Sequence, residues 1–160
     1  MNPIRQTDDH ARAIARDLLT GMRHAVLSVL DPATGHPHLS RIACQVGPDG
    51  MPVALLSGLA AHSRALIADP RAGLLVESPP AKGDPMTHPR LSVQVIARIL
   101  TDPPPGIRDR WLTAHPRAAV FIDLPDFRFW ELRPQSAWLN AGFGAAFRLT
   151  PADMAAPPPG

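Results

Sequence analysis

The stretch Leu56-Ser57-Gly58-Leu59-Ala60-Ala61-His62-Ser63-Arg64-Ala65-Leu66-Ile67-Ala68-Asp69-Pro70-Arg71 decides how the chain is read. Its first two residues close an apolar run, Pro52 to Ser57, of the kind that forms a strand. Gly58 breaks the run. Ala60 to Asp69 then reads as a short helix, which Pro70 stops. A strand thus feeds through a sharp turn into a helix whose opening turn holds His62, Ser63 and Arg64.

Working outward, the residues before this stretch form a meander. His24 to Leu30 and Pro37 to Val46 are β-rich, separated by the turn Asp31-Pro32-Ala33-Thr34-Gly35, and Gly47-Pro48-Asp49-Gly50 connects to the Pro52 strand. Ahead of them, Ala11, Ile14, Ala15, Leu18 and Leu19 recur at helical spacing behind the cap Thr7-Asp8-Asp9, predicting a helix over 8–22. Beyond Arg71, Gly73 to Glu77 and Leu91 to Leu100 read as strands around a Pro/Gly loop at 79–89. Ile107 to His115 reads as a helix stopped by Pro116, and Phe127 to Leu132 and Ala137 to Leu139 are the last strands. There is no repeated strand–helix–strand rhythm, which excludes a doubly wound parallel sheet. The expected class is mainly β or α+β, with six or seven strands closing into a barrel that removes the meander's open edges.

The 160 residues fit one domain with one core. Lys+Arg number 16 and Asp+Glu 14, a net charge of +2, with no basic run to make a nucleic-acid face. No apolar run reaches the roughly 18 residues that span a bilayer. The single cysteine, Cys44, allows no internal disulfide, and the charged start carries no secretory pattern. The expectation is a cytoplasmic protein with no nucleic-acid or membrane partner.

Three stretches resemble the haem-utilisation (HugZ-type) branch of the pyridoxamine 5'-phosphate oxidase-like FMN-binding split-barrel superfamily. Leu56 to Arg71 resembles that branch's L-S-x-L-x-x-H-T-x-N-L-x-x-D-P-R. Gly83-Asp84-Pro85 with Pro89-Arg90-Leu91-Ser92 resembles G-D-P…P-R-L-T. His115-Pro116, Asp126-Phe127 and Gly142-Phe143-Gly144 resemble H-P…D-F…G-F-G. They come in the same order over about residues 7–150. The resemblance implies a six-stranded antiparallel split barrel with short flanking helices over 1–150, a homodimer, and FMN in a cleft between subunits. Residues 151–160, rich in Pro and Ala, are expected to be a disordered tail.

By the same resemblance, Arg41, Ser57, Ser63 and Arg64 fall where the superfamily holds the FMN phosphate. Arg supplies a planar fork suited to phosphate, and a helix start supplies free N–H groups. Read by residue type alone, Arg41 and Arg64 are solvated surface arginines. Ile42 and Ala43 follow on the strand whose backbone runs beside the flavin ring in the superfamily, and Arg90 falls near a flavin-contacting position of the oxidase branch. Where the branch has Asn this chain has Ala65, which removes one polar contact. Cys44 reads as a small core residue. His62 reads as structural, packing or capping near the phosphate, and Trp111 as core. No set of histidines has zinc spacing.

The branch's haem-ligating His lies in a C-terminal domain. The last His here is His115, so no haem oxygenase activity is expected from this chain alone. The sequence reading is an FMN-binding flavoprotein, an oxidoreductase that exchanges electrons with a small molecule. The alternative is a non-catalytic flavin- or haem-binding split barrel.

Overall fold

The computed structural model describes residues 4–78, 82–142 and 144–156. The elements run β1 (Ile4–Arg5), α1 (Asp9–Gly21), β2 (His24–Leu30), β3 (Pro37–Val46), β4 (Pro52–Ser57), α2 (Ala61–Ala68), β5 (Arg71–Glu77), β6 (Arg90–Ile99), α3 (Ile107–Ala114), β7 (Phe127–Asn140), β8 (Ala146–Leu149) and α4 (Pro151–Met154), with short 3-10 turns at Pro85–Thr87 and Pro116–Val120.

The strands follow the order β1-β8-β7-β4-β3-β2-β5-β6, and β6 pairs back onto β7. That last pairing closes β2 to β7 into a six-stranded antiparallel barrel, leaving β8 and β1 as an extension on β7. Strand alternation fills the interior: Ala25, Leu27 and Val29 of β2 and Leu91, Val93, Val95 and Ala97 of β6 all point inward and are buried. α1 plugs one end with Ala11, Ala15, Leu18 and Leu19, spaced to share one face. Asp8 starts this helix by accepting from the Ala11 N–H at 2.8 Å. Each fully buried Leu, Val or Met contributes roughly 1.5–3 kcal/mol of burial free energy, so this interior dominates the stability. A second apolar cluster lies outside the barrel, where Ile107 and Trp111 of α3, with Ala118 and Ile122, cover Val53, Leu55 and Phe129 of β4 and β7.

Three sequence expectations need correction. The strands read at 127–132 and 137–139 are one strand of 14 residues. Pro134 hid its continuity. The β6–β7 register steps from Gln94↔Ser136 to Val95↔Pro134, so Gln135 is an extra residue. Pro134 also lies between the part of β7 that pairs with β4, ending at Glu131, and the part that pairs with β8, beginning at Ala137. On that open edge its missing N–H breaks no ladder.

β1 and β8 were not foreseen, being only two and four residues long.

The tail is the third correction. Pro151–Met154 is a helical turn with a full capping box between Thr150 and Asp153, and Met154 is buried against the core. Arg12 of α1 donates from Nε to Asp153 Oδ1 at 2.7 Å. Residues 157–160, and Phe143, Pro79 and Pro80 from the expected loops, lie outside the described residues.

Candidate cofactor site

A cavity of about 600 Å³ opens on the outer side of β3 and β4, where α3 and the turn after it stand off from the barrel. That is within the size range of small-molecule and cofactor sites. β3 contributes Arg41, Ile42 and Ala43, and β4 contributes Leu55, Leu56 and Ser57. Ala60 and His62 close the end where α2 begins. Trp111, His115 to Ala118, Phe121 and Phe127 form the opposite wall. The walls are mainly apolar. Among the described residues the lining charges are Arg41 and Arg117, both exposed, and no Asp or Glu lines the cavity.

The α2 end has one feature that matters for an anion. Its N-cap is Ala60, which offers no side-chain oxygen to the free N–H groups of the first turn. A capping Ser, Thr, Asn or Asp would stabilise such an end by about 1 kcal/mol. A bound anion supplies the same partner and is favoured by the positive end of the helix dipole. Arg64 sits beside this end, with Nη1 donating to the Leu59 carbonyl at 2.7 Å.

The seven residues singled out from the sequence do not all meet. Arg41, Ile42, Ala43 and Ser57 line the cavity. The Ser57 hydroxyl donates to Asp126 Oδ2 at 2.6 Å, and its oxygen accepts from the Leu59 N–H at 3.2 Å, so its only proton is already engaged. Ser63 is completely buried on the inner side of α2, and among the described residues its Oγ has no hydrogen-bond partner. Arg64 lines a smaller neighbouring cleft with His38 and Asp31. Arg90 lies outside the cavity lining, its Nη1 donating to the carbonyls of Met86 and His88 at 3.2 and 3.4 Å. In that position it ties the Pro85–Thr87 turn to the start of β6.

The sequence pattern does not mark the α3 side of the cavity. Trp111 is the core residue expected, with its ring edge-on to Phe129, yet it also forms cavity wall. His115 stacks against it at 4.5 Å between ring centroids. The sequence signal on this side is the pair His115-Pro116, part of one of the resembling stretches. Both wall histidines are held below their ordinary pKa. For His62 the causes are burial and then the charge of His38; for His115 they are burial and then Arg23. His62 Nδ1 also shares a 3.1 Å hydrogen bond with the Ser40 hydroxyl. Both imidazoles are therefore neutral near pH 7. Cys44 is fully buried and its thiol is pushed up to about 12 by desolvation, so it is no nucleophile. Among the described residues no group of three or more His, Cys, Asp or Glu could hold a metal ion, and no helix is long and apolar enough to cross a membrane.

No protein-family model matches the chain. A curated relative, the chloroplastic non-canonical haem oxygenase HOZ of Arabidopsis thaliana, is 28% identical over 134 residues, covering 82% of this chain and 40% of its own. The solved haem-binding protein from Mycobacterium smegmatis is 29% identical with a TM-score of 0.81, covering 90% of this chain and 59% of its own. The chain thus spans 40% of the length of the first and 59% of the second, less than two thirds of either. A Clostridium acetobutylicum protein related to general stress protein 26, of the pyridoxinephosphate oxidase family, shares the fold at 12% identity and a TM-score of 0.69 over 92% of this chain and 99% of its own. The barrel, with its strand–turn–helix beside β3, has the same fold as that pyridoxinephosphate oxidase-family protein. The two sequence relatives are a haem oxygenase and a haem-binding protein.

Proposed function

We propose that the protein binds FMN in the β3–β4 cavity and acts as an FMN-dependent oxidoreductase on a small-molecule electron donor or acceptor. The observation that carries this reading is an apolar cavity that ends at an uncapped helix start flanked by arginines. The first-turn N–H groups of α2, with Arg64 and Arg41, would hold the phosphate. The β3 backbone at Ile42 and Ala43 would run along the ring. When bound, the flavin supplies hydride chemistry. Trp111, Phe121 and Phe127 would exclude water from the ring, and the neutral His62 and His115 supply no fixed charge.

A homodimer completes the cleft in this reading. Leu59 and Val120, which neighbour lining residues in sequence, are 75% and 85% exposed, leaving apolar surface for a partner to cover. The single cysteine suits a reducing cytoplasm.

A second reading is a haem-binding protein without turnover. The two histidines in the cavity wall favour it, as does the likeness to a haem oxygenase and a haem-binding protein. Titration decides between them. FMN that quenches tryptophan emission at micromolar concentration, and is then bleached by NADH or NADPH, supports the oxidoreductase. A shifted haem absorbance band with no flavin binding supports the alternative. A monomeric mass at micromolar concentration overturns the shared cleft.

A further inference from the structure

A second donor cluster lies apart from this cavity and shares no lining residue with it. Gln45 falls on the outward register of β3 with Arg41 and Ala43, yet it is only 3% exposed, and among the described residues its Nε2 has no hydrogen-bond partner. It lies at the bottom of a cleft of about 470 Å³ walled by Thr20 and Arg23 beside the end of α1 and by Arg110 and Thr113 of α3. Each guanidinium has one anchoring bond: Arg23 Nη1 donates to the Met22 carbonyl at 3.0 Å, and Arg110 Nε to the Val46 carbonyl at 3.1 Å. Among the described residues neither has a carboxylate partner, and no Asp or Glu lines the cleft. The two threonine hydroxyls donate back to their own helices, to Arg16 and Asp109 carbonyls. The donors left to meet a ligand are two guanidinium groups and one buried amide.

Such a set complements an oxyanion. The C-terminal ends of α1 and α3 oppose an anion here, each with about half an elementary charge. Two full guanidinium charges exceed that sum, and their planar forks match phosphate oxygens.

We propose that this cleft is a second, phosphate-class oxyanion site, taking inorganic phosphate or the phosphate of a phosphomonoester between Arg23 and Arg110 with Gln45 beneath. It adjoins the cavity through α3, where Arg110 and Ala114 precede the wall residues Trp111 and His115. Arg23 is one cause of the low His115 pKa, so an anion on Arg23 lets His115 rise toward its ordinary value.

The test titrates the full chain with inorganic phosphate, following binding by calorimetry and His115 by its imidazole resonances. Wild type binds, and phosphate raises the His115 midpoint. Arg23→Ala and Arg110→Ala each weaken binding about 10-fold or more, and so does the gentler Arg23→Gln. Gln45→Met weakens it less, and Arg64→Ala leaves the phosphate-induced rise of the His115 midpoint in place. Absence of phosphate binding overturns the proposal. So does binding that Arg64→Ala removes and Arg23→Gln does not, which puts the phosphate at the start of α2. Loss of flavin binding in Arg64→Ala bears on the cofactor reading alone.

Discussion

The Ser57 hydroxyl donates to the Asp126 carboxylate across 2.6 Å, and the neighbouring Gly58 N–H donates to the Asp126 carbonyl at 2.7 Å. One residue thus pins the strand-to-helix turn that bounds the cavity to the chain entering β7. A hydrogen bond to a charged acceptor is worth roughly 1.5–3 kcal/mol, less where water reaches it. Ser57→Ala and Asp126→Ala should each destabilise by about 1–2 kcal/mol, and the double mutant by much less than their sum. Urea denaturation of the four proteins checks this. Additive costs would mean that the bond contributes nothing.

Ser63 behaves oppositely. Its hydroxyl is fully buried and unpartnered, and such a group costs the fold about 1–3 kcal/mol of desolvation. Ser63→Ala should leave stability unchanged or raise it by about 1 kcal/mol, and should leave FMN affinity unchanged. Weaker FMN binding in this variant would show that the hydroxyl turns out to meet the phosphate.

Thr150 to Met154 form a strap. Met154 is buried, and Asp153 joins Arg12 across the barrel's plugged end. Removing residues 151–160 deletes the Met154 burial, about 1.5–3 kcal/mol. For a domain of this size that lowers Tm by about 5–10 °C, measurable by calorimetry. An unchanged Tm would show that the strap is dispensable, as its Pro/Ala composition had suggested.

What the sequence disclosed, and what it hid, follows from where information sits in a chain. Leu56 to Arg71 showed its strand, turn and helix because Gly58 and Pro70 punctuate locally. The resembling stretches also meet in space. Leu56-Ser57-Gly58 meets Asp126-Phe127 through Ser57 and Asp126. The Gly83-Asp84-Pro85 loop meets the Gly142 turn, where φ is +121° and a side chain would come within 3.1 Å of the Thr87 carbonyl. These residues hold loops together, so they mark the fold more surely than the chemistry. The cavity's far wall was hidden for a different reason. Trp111 and His115 lie one helical turn apart, and nothing local says that the face covering β4 also borders a void. Likewise no local rule separates Arg41, in the cavity lining, from Arg90, which binds two loop carbonyls.

His62 gives a pH test. Burial first, and then His38, hold its pKa below the ordinary value, so the fold favours the neutral ring. This contribution is complete above about pH 6.5. As pH falls below that, the unfolded chain protonates first and the stability drains away until folded His62 protonates as well. His115 is shifted in the same direction and adds to the slope. Stability should fall between pH 7 and 5, less steeply in His62→Gln. His38→Ala should raise the His62 midpoint seen by NMR; an unmoved midpoint would leave burial as the only cause.

Arg64 and Arg41 carry the sharpest test of the cofactor reading. Arg64 bonds the Leu59 carbonyl and lies beside the uncapped start of α2, while Arg41 lines the cavity along β3. If the FMN phosphate sits at that helix start, Arg64→Ala removes a charge-assisted hydrogen bond worth roughly 1.5–3 kcal/mol. FMN affinity then falls about 10- to 100-fold, while riboflavin, which lacks the phosphate, binds as before. The fold survives, because Arg64 is exposed and its one bond spans a surface turn. Arg41→Ala should weaken FMN in the same selective way if its guanidinium also reaches the phosphate, and should weaken both ligands equally if it packs on the ring. Equal weakening of FMN and riboflavin by Arg64→Ala points to a disturbed turn. Unchanged FMN affinity in both variants removes the phosphate from this end of the cavity and leaves the planar, phosphate-free ligands of the second reading as its occupants.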